Sequence, residues 1–237
     1  MKLTVLAAGA WGTALALAFA PRHAVTLWAR EPQLVADLKN ERENRRFLPG
    51  FAFPDSLAVE GDFVRAVEAA ELVVLATPLA GLRSTLKQLR GARPVLPPLL
   101  WVCKGLEAGS AKLPHQVVAD ELGASAVCGV LTGPSFAEEA AQGLPLAITL
   151  ASRDSAFAEA AARELEEELG FAVTAAEMTL DFGYVYAGVN RLSGTVGLDA
   201  PVYDGVLNGS APSGVAADEY AFAGAGVYLY LWRDADS

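Results

Sequence analysis

Short, almost wholly apolar runs recur along the first part of this chain, and they constrain its fold more than any other feature. They are Leu3–Leu6, Val25–Trp28, Leu72–Ala76, Leu99–Val102, Ala126–Leu131 and Ala147–Leu150. None alternates apolar with polar residues, which is the pattern of strands covered on both faces. Helical stretches separate them: Thr13–Ala20 stopped by Pro21, Pro32–Glu43, Ala80–Leu89, and Ala156–Leu169 closed by Gly170. Right-handed crossovers between such strands predict an α/β fold with a doubly wound parallel sheet over residues 1–174. Past that point the sequence is dotted with Gly and Pro. It predicts a small appended C-terminal region over residues 175–237, with a late strand at Val227–Trp232.

Charge divides the chain in the same place. The formal net charge is −10, yet residues 1–150 hold 14 basic and 14 acidic side chains, so the last third carries the imbalance. An acidic chain is a poor general partner for nucleic acid or an anionic membrane, whereas a neutral first part can still gather a few cations around one anionic ligand. Two cysteines, Cys103 and Cys128, lie in apolar runs and read as small buried thiols. Two histidines without ligand spacing argue against a structural metal. No apolar stretch reaches the roughly 20 residues that span a bilayer. The run from Lys2 to Ala20 has the outline of a secretory leader, but Gly9 and Gly12 interrupt it at the spacing of a strand-turn-helix. A cytoplasmic protein is therefore the expectation.

The first turn carries the strongest chemistry. In Leu6-Ala7-Ala8-Gly9-Ala10-Trp11-Gly12, Gly9 lets a pyrophosphate approach backbone N–H groups at a helix N-terminus. Gly12 lets that helix close on the strand before it. Ala7 stands where the usual pattern has its first glycine, a costly change if the position needs positive φ. A plain tight turn is the competing reading. The second strand ends in Arg30 rather than an acidic residue, which suits a 2′-phosphate and so NADP(H); a solvated arginine beside Glu31 is the plainer alternative.

Together with Val25–Arg30, Glu41–Gly50, Trp101–Glu107 and above all Leu131-Thr132-Gly133-Pro134-Ser135-Phe136-Ala137-Glu138-Glu139, this turn resembles NAD(P)-dependent glycerol-3-phosphate dehydrogenase of the bacterial type. The resemblance runs from Met1 to about Val173. It implies a Rossmann domain that takes NADP(H) or NAD(H), and reduction of dihydroxyacetone phosphate to sn-glycerol 3-phosphate for phospholipid synthesis. By the same resemblance Gly9, Ala10, Trp11, Gly12 and Arg30 contact the cofactor, Phe47 borders it and Ala137 lies against it. Lys104 faces both the nicotinamide and the substrate, and Gly133 and Ser135 hold the small phosphorylated substrate. Lys104 read plainly is a solvated strand-end charge, Ser135 a helix N-cap, and Arg42–Arg46 a solvated helix end.

The resemblance stops short of the family's catalytic lysine. An ungapped continuation puts Val189 at that position, and a valine cannot donate a proton. Neighbouring Arg191 stays charged and makes a poor acid. The alternative is a catalytically incompetent NADP(H)-binding module, truncated or chimeric. A shortened substrate domain leaves apolar surface that a second copy, as a homo-oligomer, is one way to cover.

Overall fold

The computed structural model describes residues 1–133, 136–144, 147–169, 172–181 and 184–189. The late strand expected at 227–232, the helix stop at Gly170 and the side chain of Ser135 lie outside them. Strand β1 (Lys2–Leu6) leads into helix α1 (Ala10–Phe19), followed by β2 (Ala24–Trp28), α2 (Pro32–Glu41), β3 (Glu43–Asn44), β4 (Leu48–Ala52) and β5 (Leu57–Glu60). Next come α3 (Phe63–Glu68), β6 (Leu72–Leu75), α4 (Leu79–Ala92), β7 (Leu99–Trp101), α5 (Pro114–Leu122) and β8 (Cys128–Thr132). The chain continues through α6 (Ala137–Ala141), β9 (Ala147–Ser152), α7 (Ser155–Leu169), β10 (Ala172–Asp181) and β11 (Tyr184–Val189).

Among the described residues, nine strands form one sheet in the order β11-β10-β9-β8-β7-β6-β1-β2-β5. From β5 to β8 every neighbouring pair is parallel, as the sequence predicts for β2, β1, β6, β7 and β8; β5 is a further strand that it did not single out. The sheet then departs from that expectation. Strand β9 runs antiparallel to β8, β10 is parallel to β9, and β11 turns back along β10. The short α6 segment between β8 and β9 returns the chain beside the strand it left, without a full crossover. The boundary drawn after residue 174 falls inside β10, and both late strands extend the same sheet.

Two packed faces account for the missing polar alternation. From β1, Leu3 and Val5 join Leu15 and Phe19 of α1 in one core. Leu6 turns the other way, toward Leu82, Leu86 and Leu89 of α4. Thr4 is tolerated at 2% exposure because its hydroxyl donates to the Ala66 carbonyl oxygen of α3 at 2.6 Å. The apolar run read as a leader outline thus supplies an interior strand and the helix that covers it.

Element ends shift for identifiable reasons. Helix α1 begins at Ala10 rather than Thr13, with Gly9 as its N-cap. Helix α2 stops at Glu41 because Arg42 adopts the left-handed conformation, φ 51°. Its guanidinium then donates to the carbonyl oxygens of Leu57 and Pro54 and lies over the Phe53 ring. Cys103 is buried, and desolvation pushes its thiol up to about 12; Cys128 is only half-buried, against expectation. No helix among the described residues is long and apolar enough to cross a membrane.

His115 on α5 is 6% exposed, and burial, reinforced by Arg153, lowers its pKa to about 4. An unfolded histidine titrates near 6.5. Between those values the unfolded chain takes up a proton that the folded chain refuses, so stability is full above the upper value and falls as pH drops toward the lower. Urea unfolding at about pH 7 and about pH 4.5 should show wild type losing roughly 2 kcal/mol more than His115→Gln over that interval. Equal losses in the two proteins would show that His115 is not held neutral by the fold.

Candidate functional site

The turn from β1 into α1 is short and tightly determined. Gly9 has ordinary extended backbone, φ −74° and ψ −179°, and the next residue already belongs to the helix. A Cβ added at Gly9 would meet nothing within 4 Å. The absent side chain therefore leaves open space in front of the first-turn N–H groups, where a helix carries partial positive charge. Gly12 has the opposite surroundings: a Cβ there would lie 2.1 Å from the Ala7 carbonyl oxygen and 3.0 Å from Cβ of Ala76. One glycine clears space for a ligand, and the other lets helix and strand meet. Ala10 and Trp11 occupy the first helical turn, both half-buried, and Trp11 packs on the core.

Around this turn the parallel strands all end on one edge. Leu6 of β1 is in register with Trp28 of β2 and Leu75 of β6, and Leu75 with Trp101 of β7. Arg30, two residues beyond β2, is exposed on that edge. Its neighbour Glu31 pairs with Arg46 at 2.9 Å. Phe47 is 39% exposed, and the Arg46 guanidinium lies 4.9 Å from its ring centroid.

The stretch Arg42–Arg46 is only partly the solvated helix end that the sequence allows. Arg45 and Arg46 are exposed, but Asn44 just before them is fully buried. Its side-chain NH₂ donates to the Ala8 carbonyl oxygen at 2.9 Å and to the Thr13 hydroxyl at 2.7 Å. Sequence reading missed this residue. Its signal was a single amide among five charged neighbours, too little to separate it from a polar surface.

Lys104 follows β7, two strands across from β1, or about 10 Å at ordinary strand spacing. Its side chain reaches solvent, while the protein around its ammonium group lowers its pKa by desolvation. Gly105 then turns the chain at φ +97°, a conformation that needs glycine. The loop beyond is held by Arg83 of α4, which donates from Nε and Nη2 to the two carboxylate oxygens of Glu107 at 2.8 and 2.7 Å. That paired donation, helped by the Ser110 hydroxyl, keeps the Glu107 carboxyl at about 2. Arg83 also donates to Glu121 and Asp120 of α5, tying the loop to two helices.

Gly133 directly follows β8 on the same edge, and Ala137 opens α6 against the core that contains α1. The N-cap of α6 is Phe136, which corrects the reading of Ser135 as that cap. Thr77, just past β6, is another edge residue the sequence did not single out; its hydroxyl is buried without a hydrogen-bond partner among the described residues. A cavity of about 230 Å³ lies elsewhere, around the entry to β8, lined by His115, Gly123, Cys128 and Arg153. It does not touch the Gly9 turn. No group of three or more His, Cys, Asp or Glu among the described residues is placed to hold a metal ion.

A family model described as the NAD-dependent glycerol-3-phosphate dehydrogenase N-terminus matches residues 2–158. The chain belongs to that family. It is 59% identical over 165 residues to the glycerol-3-phosphate dehydrogenase [NAD(P)+] of Dechloromonas aromatica, covering 70% of this chain and 50% of that one. The protein of the same name from Nitrosomonas eutropha is 45% identical over 210 residues, 89% of this chain and 62% of its own. The crystal structure of glycerol-3-phosphate dehydrogenase from Coxiella burnetii superposes with a TM-score of 0.67 at 34% identity, covering 73% of this chain and 52% of that one. The chain thus spans about half the length of the first and last of these family members.

The two glycines predict opposite outcomes for one added methyl group. Gly12→Ala should lower stability by about 2–3 kcal/mol, because backbone must move to admit the side chain. Gly9→Ala should stay within about 0.5 kcal/mol of wild type, since its methyl enters open space. Urea titration of both variants checks this, and a destabilised Gly9→Ala would show that the turn is closed.

Proposed function

We propose that the Gly9–Gly12 turn binds NADPH or NADH, and that the chain carries the nucleotide half of an enzyme reducing dihydroxyacetone phosphate to sn-glycerol 3-phosphate. The observation that carries this is the open backbone cradle at the N-cap of α1, on the sheet edge where Arg30, Lys104, Gly133 and Ala137 also emerge. An extended pyrophosphate fits there because N–H groups and the helix end favour anionic oxygens. Ala10 and Trp11 supply those N–H groups, and Arg30 receives a 2′-phosphate where one is present. Phe47 and Ala137 flank the dinucleotide.

The substrate side follows from the same edge. Lys104 attracts the phosphate or carbonyl oxygen of dihydroxyacetone phosphate, with Gly133 and Ser135 beside it. The dinucleotide supplies a hydride to the carbonyl carbon, and the carbonyl oxygen takes a proton. Val189 cannot provide that proton, and β11, which bears it, lies six strands from β1, about 29 Å at ordinary spacing. Lys104 is a titratable group on that edge, and the desolvation that lowers its pKa makes its ammonium a readier proton donor to that oxygen. We place the protein in the cytoplasm, acting on a small phosphorylated metabolite without nucleic acid or membrane, as a homo-oligomer.

Two measurements test this. Fluorescence titration should show NADPH binding by wild type and affinity at least about tenfold weaker in the stably folded Gly9→Ala, since a methyl group displaces the phosphates. NADPH oxidation should require dihydroxyacetone phosphate and fall at least about 100-fold in Lys104→Ala. Binding without turnover would reduce the chain to a nucleotide-binding module; absence of binding would overturn the reading.

A further inference from the structure

The nucleotide turn contains a residue in the wrong half of backbone space. Ala7 has φ +99°, where a side chain is strained, and it occupies the position at which the usual phosphate-binding pattern has glycine. Rotation of that residue is restrained on two sides. Its N–H donates to the Trp28 carbonyl oxygen at 3.1 Å, and its own carbonyl oxygen lies where a Gly12 side chain would stand. Strand β2 holds one side of the peptide and α1 the other.

Asn44 closes the remaining side. It is fully buried, and one side-chain nitrogen bridges the Ala8 carbonyl oxygen, on the residue before the N-cap, and the Thr13 hydroxyl, on the first turn of α1. Its side-chain oxygen accepts from the Phe47 N–H at 3.2 Å, which fixes the amide's orientation. The Ala7–Gly12 turn is thereby spanned from outside by a single side chain of another element. A carboxylate at 44 would have no hydrogen to give either acceptor.

We propose that Asn44 is a positioning residue that holds the strained Ala7–Gly9 turn in its phosphate-binding shape before any ligand arrives, compensating for the alanine at position 7. Its consequence for affinity rests on the nucleotide reading above; its effect on the turn does not. The claim couples two positions. Without Asn44 the strain at Ala7 is free to open the turn, and a glycine at position 7 removes most of the reason for it to open.

Hydrogen exchange on the ligand-free chain and NADPH titration test this on wild type, Ala7→Gly, Asn44→Ala and the double variant. In Asn44→Ala, amides 8–13 should exchange at least about tenfold faster while those of β6 keep their wild-type rate. NADPH affinity should fall about tenfold, and Ala7→Gly in the same chain should restore at least about threefold of each loss. Alone, Ala7→Gly should not raise the exchange of amides 8–13. Unchanged exchange of amides 8–13 in Asn44→Ala overturns the proposal, as does a double variant no better than Asn44→Ala. Should Asn44→Ala not fold, Thr13→Val removes one of the two acceptors and should raise the same exchange by a smaller factor; no change there also overturns it. If wild type binds no NADPH, the nucleotide reading fails and the exchange data alone decide the role of Asn44.

Discussion

The approach of α1 to the end of β1 is the contact on which the rest depends. An interior strand of the sheet leads into a helix within three residues, and the Gly12 backbone sits against the Ala7 carbonyl. No side chain fits between them. That closeness directs the first-turn N–H groups of α1 along the strand ends, and it forces Ala7 into its unusual backbone region. The same contact that shapes the cradle therefore strains it.

Parallel order distributes the other groups. Because β2, β1, β6, β7 and β8 share one direction, the residues that follow them emerge on one edge, at intervals set by strand spacing. Arg30, Thr77, Lys104 and Gly133 are each a strand-end residue in this sense. Position alone does not fix them. Arg83 does so for the Lys104 loop, since its paired bonds to Glu107 hold a segment whose backbone turns sharply at Gly105. Asn44 does the equivalent for the Gly9 turn. In both places a buried or half-buried polar side chain from outside the loop sets its shape.

Much of this was legible in the residues. Unalternating apolar runs gave the two-sided sheet, and the opposed roles of Gly9 and Gly12 followed from elementary geometry. Ala7 was recognisable as a departure, although only coordinates could show that its φ is positive. Direction was not legible: Ala147–Ser152 is as apolar as a parallel strand, and nothing in its composition reports that β9 runs antiparallel. Asn44 was hidden by its charged neighbours, since burial of one amide depends on where β3 and β4 place it. The five-residue α6 is capped at Phe136, whose exposed ring gives no capping signature.

The central claim is that the N-terminal turn of α1 receives a dinucleotide, and amide chemical shifts on titration with NADPH test it most directly. The account predicts that the largest changes fall on Gly9, Ala10, Trp11 and Gly12, with smaller ones at Arg30 and Lys104. It also predicts none around His115 and Ala126, in the cavity at the entry to β8. Changes confined to that cavity, or no changes at saturating nucleotide, would contradict it.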